Sequence, residues 1–292
     1  MEAVAARPIS TNVRIRIPAA AKVIVKATQA TSNRLAAALL ERWFLTPRRS
    51  PLPPEEAAFL ASGRFDRLAT DLGELAVWSW GEGPTVLLVH GWGSRSSRWR
   101  TIAPALVEAG FRVVAFDGPG HGATGGRRSS LPETARAVRW LAEAERDRRG
   151  RLPRAVVAHS FGSAASILVQ RYGVRFERNV FLAPATDFHG YLHRWSDALE
   201  LSPAVLNLMV RRIEQRLGFC WDELRVSGLT GLSGRALVLH DPADGEVPYG
   251  DAKLLVNAWP NASLVPSPGL GHRRLLHDPG LVSRVVEFVA AA

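Results

Sequence analysis

Five short apolar runs, each followed by a turn and a stretch of helical spacing, limit what this chain can fold into more than any other feature. They are Val-Leu-Leu-Val at 86–89, Val-Val-Ala-Phe at 113–116, Ala-Val-Val-Ala at 155–158, Val-Phe-Leu at 180–182 and Ala-Leu-Val-Leu at 236–239. A strand with water on one face alternates apolar and polar side chains, whereas an unbroken run means that both faces are covered. Helical patterns at about 99–108, 132–148, 161–172, 252–259 and 279–289 supply the covers. Repeated βα units of this kind predict an α/β fold with a mostly parallel, doubly wound sheet. Ligands of such sheets sit beyond the carboxyl ends of the strands, so the informative residues should directly follow each run.

Ahead of this pattern the chain changes character. A strand is expected at 75–80 and a turn at 81–84. Residues 1–32 read as a poorly specified arm, in which Val13, Ile15 and Ile17 alternate with Arg14 and Arg16 and allow one short strand before Pro18. Residues 33–44 fit an amphipathic helix capped by Ser32 or Asn33. A proline-rich, stiff linker follows, then a second helix over 55–61. Of the net charge of +10, residues 1–50 alone carry +7, from nine basic and two acidic side chains. A basic arm suits nucleic acid or an anionic membrane surface. Yet only Lys22, Lys26 and Lys253 are lysines, so the arginine bias runs through the whole chain and a solvated arm is the preferred reading. No nucleic-acid partner is expected, and peripheral membrane contact by the N-terminal segment stays open.

Hydrophobic types make up 47% of the 292 residues, ample for a packed core. No stretch reaches the roughly 18 consecutive apolar residues of a membrane-spanning helix. Arg7, Pro8, Arg14, Arg16 and Pro18 interrupt the region where a secretory signal would place its apolar core. A lone cysteine, Cys220, makes neither an internal disulfide nor a multi-thiolate metal site. The expectation is a soluble protein of a reducing cytoplasm, with no metal or organic cofactor.

The residues after the strands carry the chemistry. Ala158-His159-Ser160-Phe161-Gly162 follows one run and leads straight into a helix. A serine on such a turn has its hydroxyl exposed at the top of the sheet, and the next amide N–H groups face whatever it attacks. Gly162 supplies the small neighbour the turn needs, while Ala158 stands where G-x-S-x-G has glycine. His90-Gly91-Trp92-Gly93 follows the strand at 86–89, so the backbone N–H groups of Trp92 and Phe161 are candidates for an oxyanion hole. The loop from Asp117 to Gly122 reads as rigid, with His121 in a structural role. An activated serine needs a base, and the base needs an orienting acid. Among eight histidines, His272 ends the loop Gly269-Leu270-Gly271-His272 after the last strand candidate at 263–266, where the glycines let it reach the site, with His277 the weaker choice. For the acid, Asp244 at the apex of the loop after Leu239 is preferred over Asp241, with Asp187 third. The order Ser160, Asp244, His272 matches that of α/β-hydrolases.

On these motifs the chain, from about residue 75 to its end, resembles the α/β-hydrolase superfamily and its bacterial serine hydrolase, esterase-like branch. The resemblance implies Ser160 as nucleophile, His272 as general base and then general acid, Asp244 as its partner, and Trp92 and Phe161 as oxyanion hole. Ala158 and Ala123-Thr124 depart from the family pattern, and a serine nucleophile argues against the branches that attack with aspartate. Two parts are expected: an N-terminal extension of basic arm and helices over 1–72, and an α/β-hydrolase domain over 73–292. Within the latter, the aromatic-rich segment at about 184–233 looks like a small helical lid, with helices at about 195–199 and 203–217. Tyr191 and Trp195 of this lid, with Trp92, Trp99 and Phe161, would wall an apolar acyl or alcohol pocket. The implied activity is hydrolysis of small-molecule carboxylic esters through an acyl-enzyme. Thioesterase, acyltransferase, amidase or carbon–carbon hydrolase chemistry on the same triad is the alternative, and a non-catalytic binder is a more distant one.

Overall fold

A computed structural model describes residues 13, 15–224 and 232–291. The strands are β1 (Arg64–Thr70), β2 (Gly73–Trp80), β3 (Thr85–Val89), β4 (Arg112–Phe116), β5 (Ala155–His159), β6 (Arg178–Leu182), β7 (Arg235–His240) and β8 (Ala262–Pro266). They form one sheet in the order β1-β2-β4-β3-β5-β6-β7-β8. The β1–β2 and β2–β4 pairs are antiparallel and the others parallel.

The unbroken apolar runs have a direct structural cause. Leu87, Val89, Val114, Phe116, Val156 and Phe181 point into a core on one side of the sheet, and Val86, Leu88, Val113, Ala115, Val157 and Val180 into a core on the other. The helices are α1 (Ala19–Thr31), α2 (Asn33–Phe44), α3 (Pro54–Ala61), α4 (Ile102–Glu108), α5 (Leu131–Arg149), α6 (Phe161–Leu168), α7 (Phe188–Leu199), α8 (Pro203–Leu217), α9 (Tyr249–Ala258), α10 (Gly271–Arg274) and α11 (Pro279–Ala290). The first core is completed by residues of α5, α6 and α9, and the second by residues of α4 and α11. Helix boundaries follow local chemistry. Ser130 accepts the Glu133 N–H and donates its own hydroxyl to the Glu133 carboxylate at the start of α5, and Gly150 ends that helix with φ 74°.

The N-terminal region departs from the sequence expectation. Residues 15–18 are not in a strand, and α1 occupies much of what reads as an arm. Its alanines favour helix, and burying Val25 overrides the β-branched residues around it. Expectations for residues 1–12 and for Arg14 lie outside the described residues. Helix α2 has the expected bounds, with the Ser32 hydroxyl accepting the Leu35 N–H at 3.4 Å. Strand β1 has no counterpart in the sequence reading. It pairs along its whole length with β2, so the sheet begins inside residues 1–72 and the boundary expected at 72 falls in the β1–β2 turn. As an edge strand whose side chains are nowhere fully buried, it lacks an apolar signature.

Helices α7 and α8 fall between β6 and β7, in the segment expected as a lid, and α7 begins at Phe188 rather than near 195. Helix α2 packs along α8, where Ala36, Ala37 and Leu40 share a core with Val205, Met209 and Ile213. At its centre Glu41, only 2% exposed, accepts Arg212 Nε at 2.7 Å and also binds Arg216. No helix among the described residues is long and apolar enough to cross a membrane.

Candidate active site

Ser160 joins β5 to α6 with φ 53° and ψ −121°, a backbone region that L-residues rarely adopt and that costs about 1–3 kcal/mol. The conformation is held from both ends. The Ser160 N–H donates to Leu182 O at 2.9 Å, and its carbonyl accepts the N–H groups of Ser163 and Ala185. Gly162 makes the turn feasible, because a Cβ there would stand 2.4 Å from Val89 O and 2.5 Å from His90 O. At Ala158, fully buried, the extra methyl is accommodated, and its carbonyl accepts the Ser163 hydroxyl at 3.1 Å. Phe161 begins α6, so its N–H has no helical carbonyl four residues back and remains available for an incoming oxygen.

The loop after β3 is fixed by His90. Its Nε2 accepts the Gly118 N–H at 2.9 Å, which leaves Nδ1 as the donor to Gly91 O at 2.7 Å. The ring is therefore neutral, and burial lowers its pKa to about 4. The next loop is built around Asp117, which accepts both the N–H and the hydroxyl of Ser96 and the N–H of Ala123. Thr124, where the family pattern often has serine, donates to Asp117 O at 2.6 Å and accepts the Ala76 N–H at 2.9 Å. His121 donates from Nδ1 to Pro119 O, and its ring supports that of Trp92 edge-on at 5.3 Å. Trp92 and Phe161 also meet edge to face at 5.1 Å, so the two residues expected at the oxyanion hole are neighbours.

His272 is bonded to Asp244: Nδ1 lies 2.8 Å from Oδ2. A carboxylate only accepts, so Nδ1 carries the proton and Nε2 keeps its lone pair. The other Asp244 oxygen accepts the N–H groups of Glu246 at 2.7 Å and Val247 at 3.0 Å. Burial alone would raise the Asp244 pKa, but the donors from His240, His272 and Val247 outweigh it and hold the group well below the usual carboxylate range. The competing candidates are engaged elsewhere. Asp241 accepts from Ala243 N and Gly271 N, Asp187 caps α7 through Gly190 N, and His277 bonds Thr101 and Arg100. His159, the residue before Ser160, packs its ring 4.7 Å from that of His272.

The expected substrate contacts divide. Trp92 and Tyr191 are 36% and 40% exposed. Trp99 is enclosed in the core shared by β3 and α4, and Trp195 is buried against Trp43 and Phe44, so neither offers a surface to a ligand. Phe188 of α7 reaches Phe161 at 6.0 Å, and Phe44 of α2 reaches Tyr191 at 6.1 Å. The sequence gives no sign of Phe44, which lies in the N-terminal region, nor of Arg49, whose guanidinium donates to Gly120 O, Thr124 O and Gly126 O. A groove of about 490 Å³ between β1, β2, β4 and α5 lies at the opposite end of the parallel strands. Six of its charged side chains pair as Arg112–Glu145, Arg148–Asp66 and Arg149–Glu82, Arg64 also lines it, and none of the residues expected at the active site does. Among the described residues no group of His, Cys, Asp or Glu side chains is arranged to hold a metal ion.

The mostly parallel eight-stranded sheet, with its serine turn after β5 and its His–Asp pair after β7 and β8, is that of an α/β-hydrolase. Residues 83–257, more than half of the chain, match the family described as serine aminopeptidase, S33, and the chain belongs to that family. The monoacylglycerol lipase of Mycolicibacterium smegmatis is 32% identical over 111 residues, 36% of this chain and 39% of that one. A pimeloyl-[acyl-carrier protein] methyl ester esterase of Methylococcus capsulatus is 48% identical over 42 residues, 14% of this chain and 16% of that one. The chain thus spans less than two fifths of the length of these curated relatives. An esterase of Pyrococcus furiosus superposes with a TM-score of 0.63 at 17% identity, covering 84% of this chain and 98% of that one. A serine hydrolase of Cycloclasticus zankles gives 0.58 at 17% identity, covering 77% and 97%. At such identities the superpositions speak for the fold.

Proposed function

We propose that this α/β-hydrolase is a serine esterase that cleaves small carboxylic esters through an acyl-enzyme. The observation that carries the reading is the His272–Asp244 hydrogen bond beside a serine turn held in a strained conformation. Ser160 Oγ attacks the ester carbonyl while His272 Nε2 takes its proton. The N–H groups of Trp92 and Phe161 receive the negative oxygen of the tetrahedral intermediate. Protonated His272, stabilised by Asp244, returns the proton to the leaving alcohol, and a water activated by the same imidazole then releases the acid. Trp92, Phe161, Phe188 and Tyr191 supply apolar surface for the acyl or alcohol part, with α7 and α8 as a lid. The esterase and lipase names of the relatives favour ester bonds. Thioester or acyl-transfer chemistry on the same residues is the second reading, favoured by the short match to esterases of acyl-carrier-protein substrates. The unpaired, exposed Cys220 fits a reducing cytoplasm.

The test is labelling with a fluorophosphonate probe read by intact mass, on wild type and Ser160→Ala in parallel. One adduct on wild type and none on the variant is the expected result, and p-nitrophenyl esters of rising chain length then size the pocket. A folded wild type that takes no adduct overturns the reading.

A further inference from the structure

Asp244 lies between two histidines, only one of which the proposed chemistry uses. The other is His240, the last residue of β7 and 0% exposed. Its Nε2 is 3.3 Å from Asp244 Oδ2 and 3.2 Å from Val247 O. Both neighbours only accept, so Nε2 carries a proton shared between them. In the neutral ring Nδ1 is then a bare acceptor, and it is buried with no partner among the described residues. A histidine kept only for packing would gain nothing from such an arrangement, since an unmatched buried polar atom is destabilising. What the ring gains is the carboxylate, and it meets the same oxygen that receives the His272 Nδ1–H.

We infer that His240 is a positioning residue, which fixes the Asp244 carboxylate so that its Oδ2 stays aligned with His272. The His272 Nδ1–H and the His240 ring, its Nε2 3.3 Å away, meet Oδ2, and two backbone N–H groups bond Oδ1, so the carboxylate has no free rotation. The His240 ring is itself held, with Tyr249 packed edge-on at 5.6 Å and an interplanar angle of 72°. The ionisable groups around the pair are His159 beside His272, Asp241 bound to Gly271 N, and the exposed Arg273–Glu246 pair. None of these donates to Asp244, so His240 is the one side chain besides His272 whose removal unlocks it among the described residues.

The inference builds on the proposed triad, and its test has one arm that needs no turnover. His240→Leu keeps the volume and removes the donor, whereas His240→Gln keeps an N–H at similar reach. With a p-nitrophenyl ester, His240→Leu should lower kcat by roughly 10- to 100-fold with KM within about twofold, and His240→Gln should recover most of the loss. In an Asp244→Asn background His240→Leu should cost nothing further, because its route to His272 is already gone. In the second arm, the His272 Nδ1–H proton is observed by NMR in histidine-labelled protein. It should move in His240→Leu and stay in place in His240→Gln, whether or not the protein turns over esters. A folded His240→Leu with wild-type kcat, an equal loss in both backgrounds, or an unmoved His272 proton overturns the inference. Failure of wild type to label or hydrolyse overturns the esterase reading instead.

Discussion

His159 donates its Nε2–H to the backbone carbonyl of His272 at 2.8 Å. This bond ties the turn that carries Ser160 to the segment after β8 that carries His272, whose partner Asp244 comes from the loop after β7. Gly91 abuts the contact, with a Cβ position 3.1 Å from both His159 Nδ1 and Ser160 Cβ. Loops after β3, β5 and β8 therefore meet at one point, and the residue at their junction is uncharged.

That neutrality predicts acid sensitivity. Burial lowers the pKa of His90 to about 4 and, with help from His90 and His272 respectively, those of His121 and His159 to about 3. Unfolding returns each to about 6.5. Between these values the unfolded chain binds more protons than the folded one, so stability is full above pH 6.5 and falls as pH drops towards 4, by up to about 1.4 kcal/mol per pH unit for each histidine. Urea midpoints at pH 7, 6 and 5 should decrease in that order. Equal midpoints at pH 7 and 5 would contradict the assignment.

Asp251 acts in the opposite direction. Burial raises its pKa to about 6, against the pull of the Thr186 and Asp187 N–H groups it accepts. From about pH 4 to 6 the folded protein holds a proton that the unfolded chain releases, so this contribution is lost as pH rises. Asp251→Asn removes it, and the variant should lose stability more steeply than wild type on going from pH 6 to 4.

Exchanging Asp244 for Asn should reduce kcat about 10⁴-fold, because the amide no longer holds His272 in the tautomer with a free Nε2. Asp241→Asn serves as the comparison. Asp241 touches the backbone at Gly271 and not the His272 ring, so its loss should appear in thermal stability and cost activity less than about tenfold. Steady-state kinetics on the two purified variants distinguish them.

The docking of α2 on α8 should be measurable through Glu41. Burial works against its charge, but bonds to Arg216 and Arg212 hold the pKa below the ordinary value. Both arginines are partly exposed, so Glu41→Ala should destabilise by about 1–3 kcal/mol, less than the loss of a fully buried pair. The melting temperature and limited proteolysis between α2 and α3 report it. An unchanged cleavage pattern would mean that the clamp is idle.

Glycine at position 162 is required by space. Gly162→Ala places a methyl against two backbone carbonyls that cannot yield, and should cost about 1–3 kcal/mol or prevent folding. The reverse change two residues ahead of the serine, Ala158→Gly, should shift stability by no more than about 1 kcal/mol. Thermal denaturation of the two variants settles the contrast.

The same pair of positions marks what the sequence can convey. Residues covered on both sides, such as Val86 to Val89, announce their strand by composition alone, and the turn at Ser160 stands out because it interrupts such a run. Asp241 and Asp244 both follow β7, and the sequence prefers Asp244 only by its place at the loop apex, whereas the hydrogen bond to the His272 ring belongs to Asp244. Strand β1 is hidden because Arg64, Asp66 and Arg67 satisfy an edge as readily as a loop. The alanines of α1 read as an arm until Val25 has a core to enter. Trp99 and Trp195 illustrate the opposite failure, because aromatic residues near a site pack cores as often as they line pockets. Phe44 and Arg49 act through contacts with segments remote in sequence, which no local pattern encodes.

Arg49 makes the rim of the site depend on the N-terminal region. Three carbonyls of the loop beside the site receive their donors from a residue 71 to 77 positions earlier in the chain. A contact of that span closes a long loop, so it holds only while both segments keep their places in the fold. The loop beside the site is therefore braced by the first fifth of the polypeptide, which lies outside the parallel strands. A chain cut in the linker just after this arginine would still possess the serine turn and the His–Asp pair, yet open onto an incomplete rim.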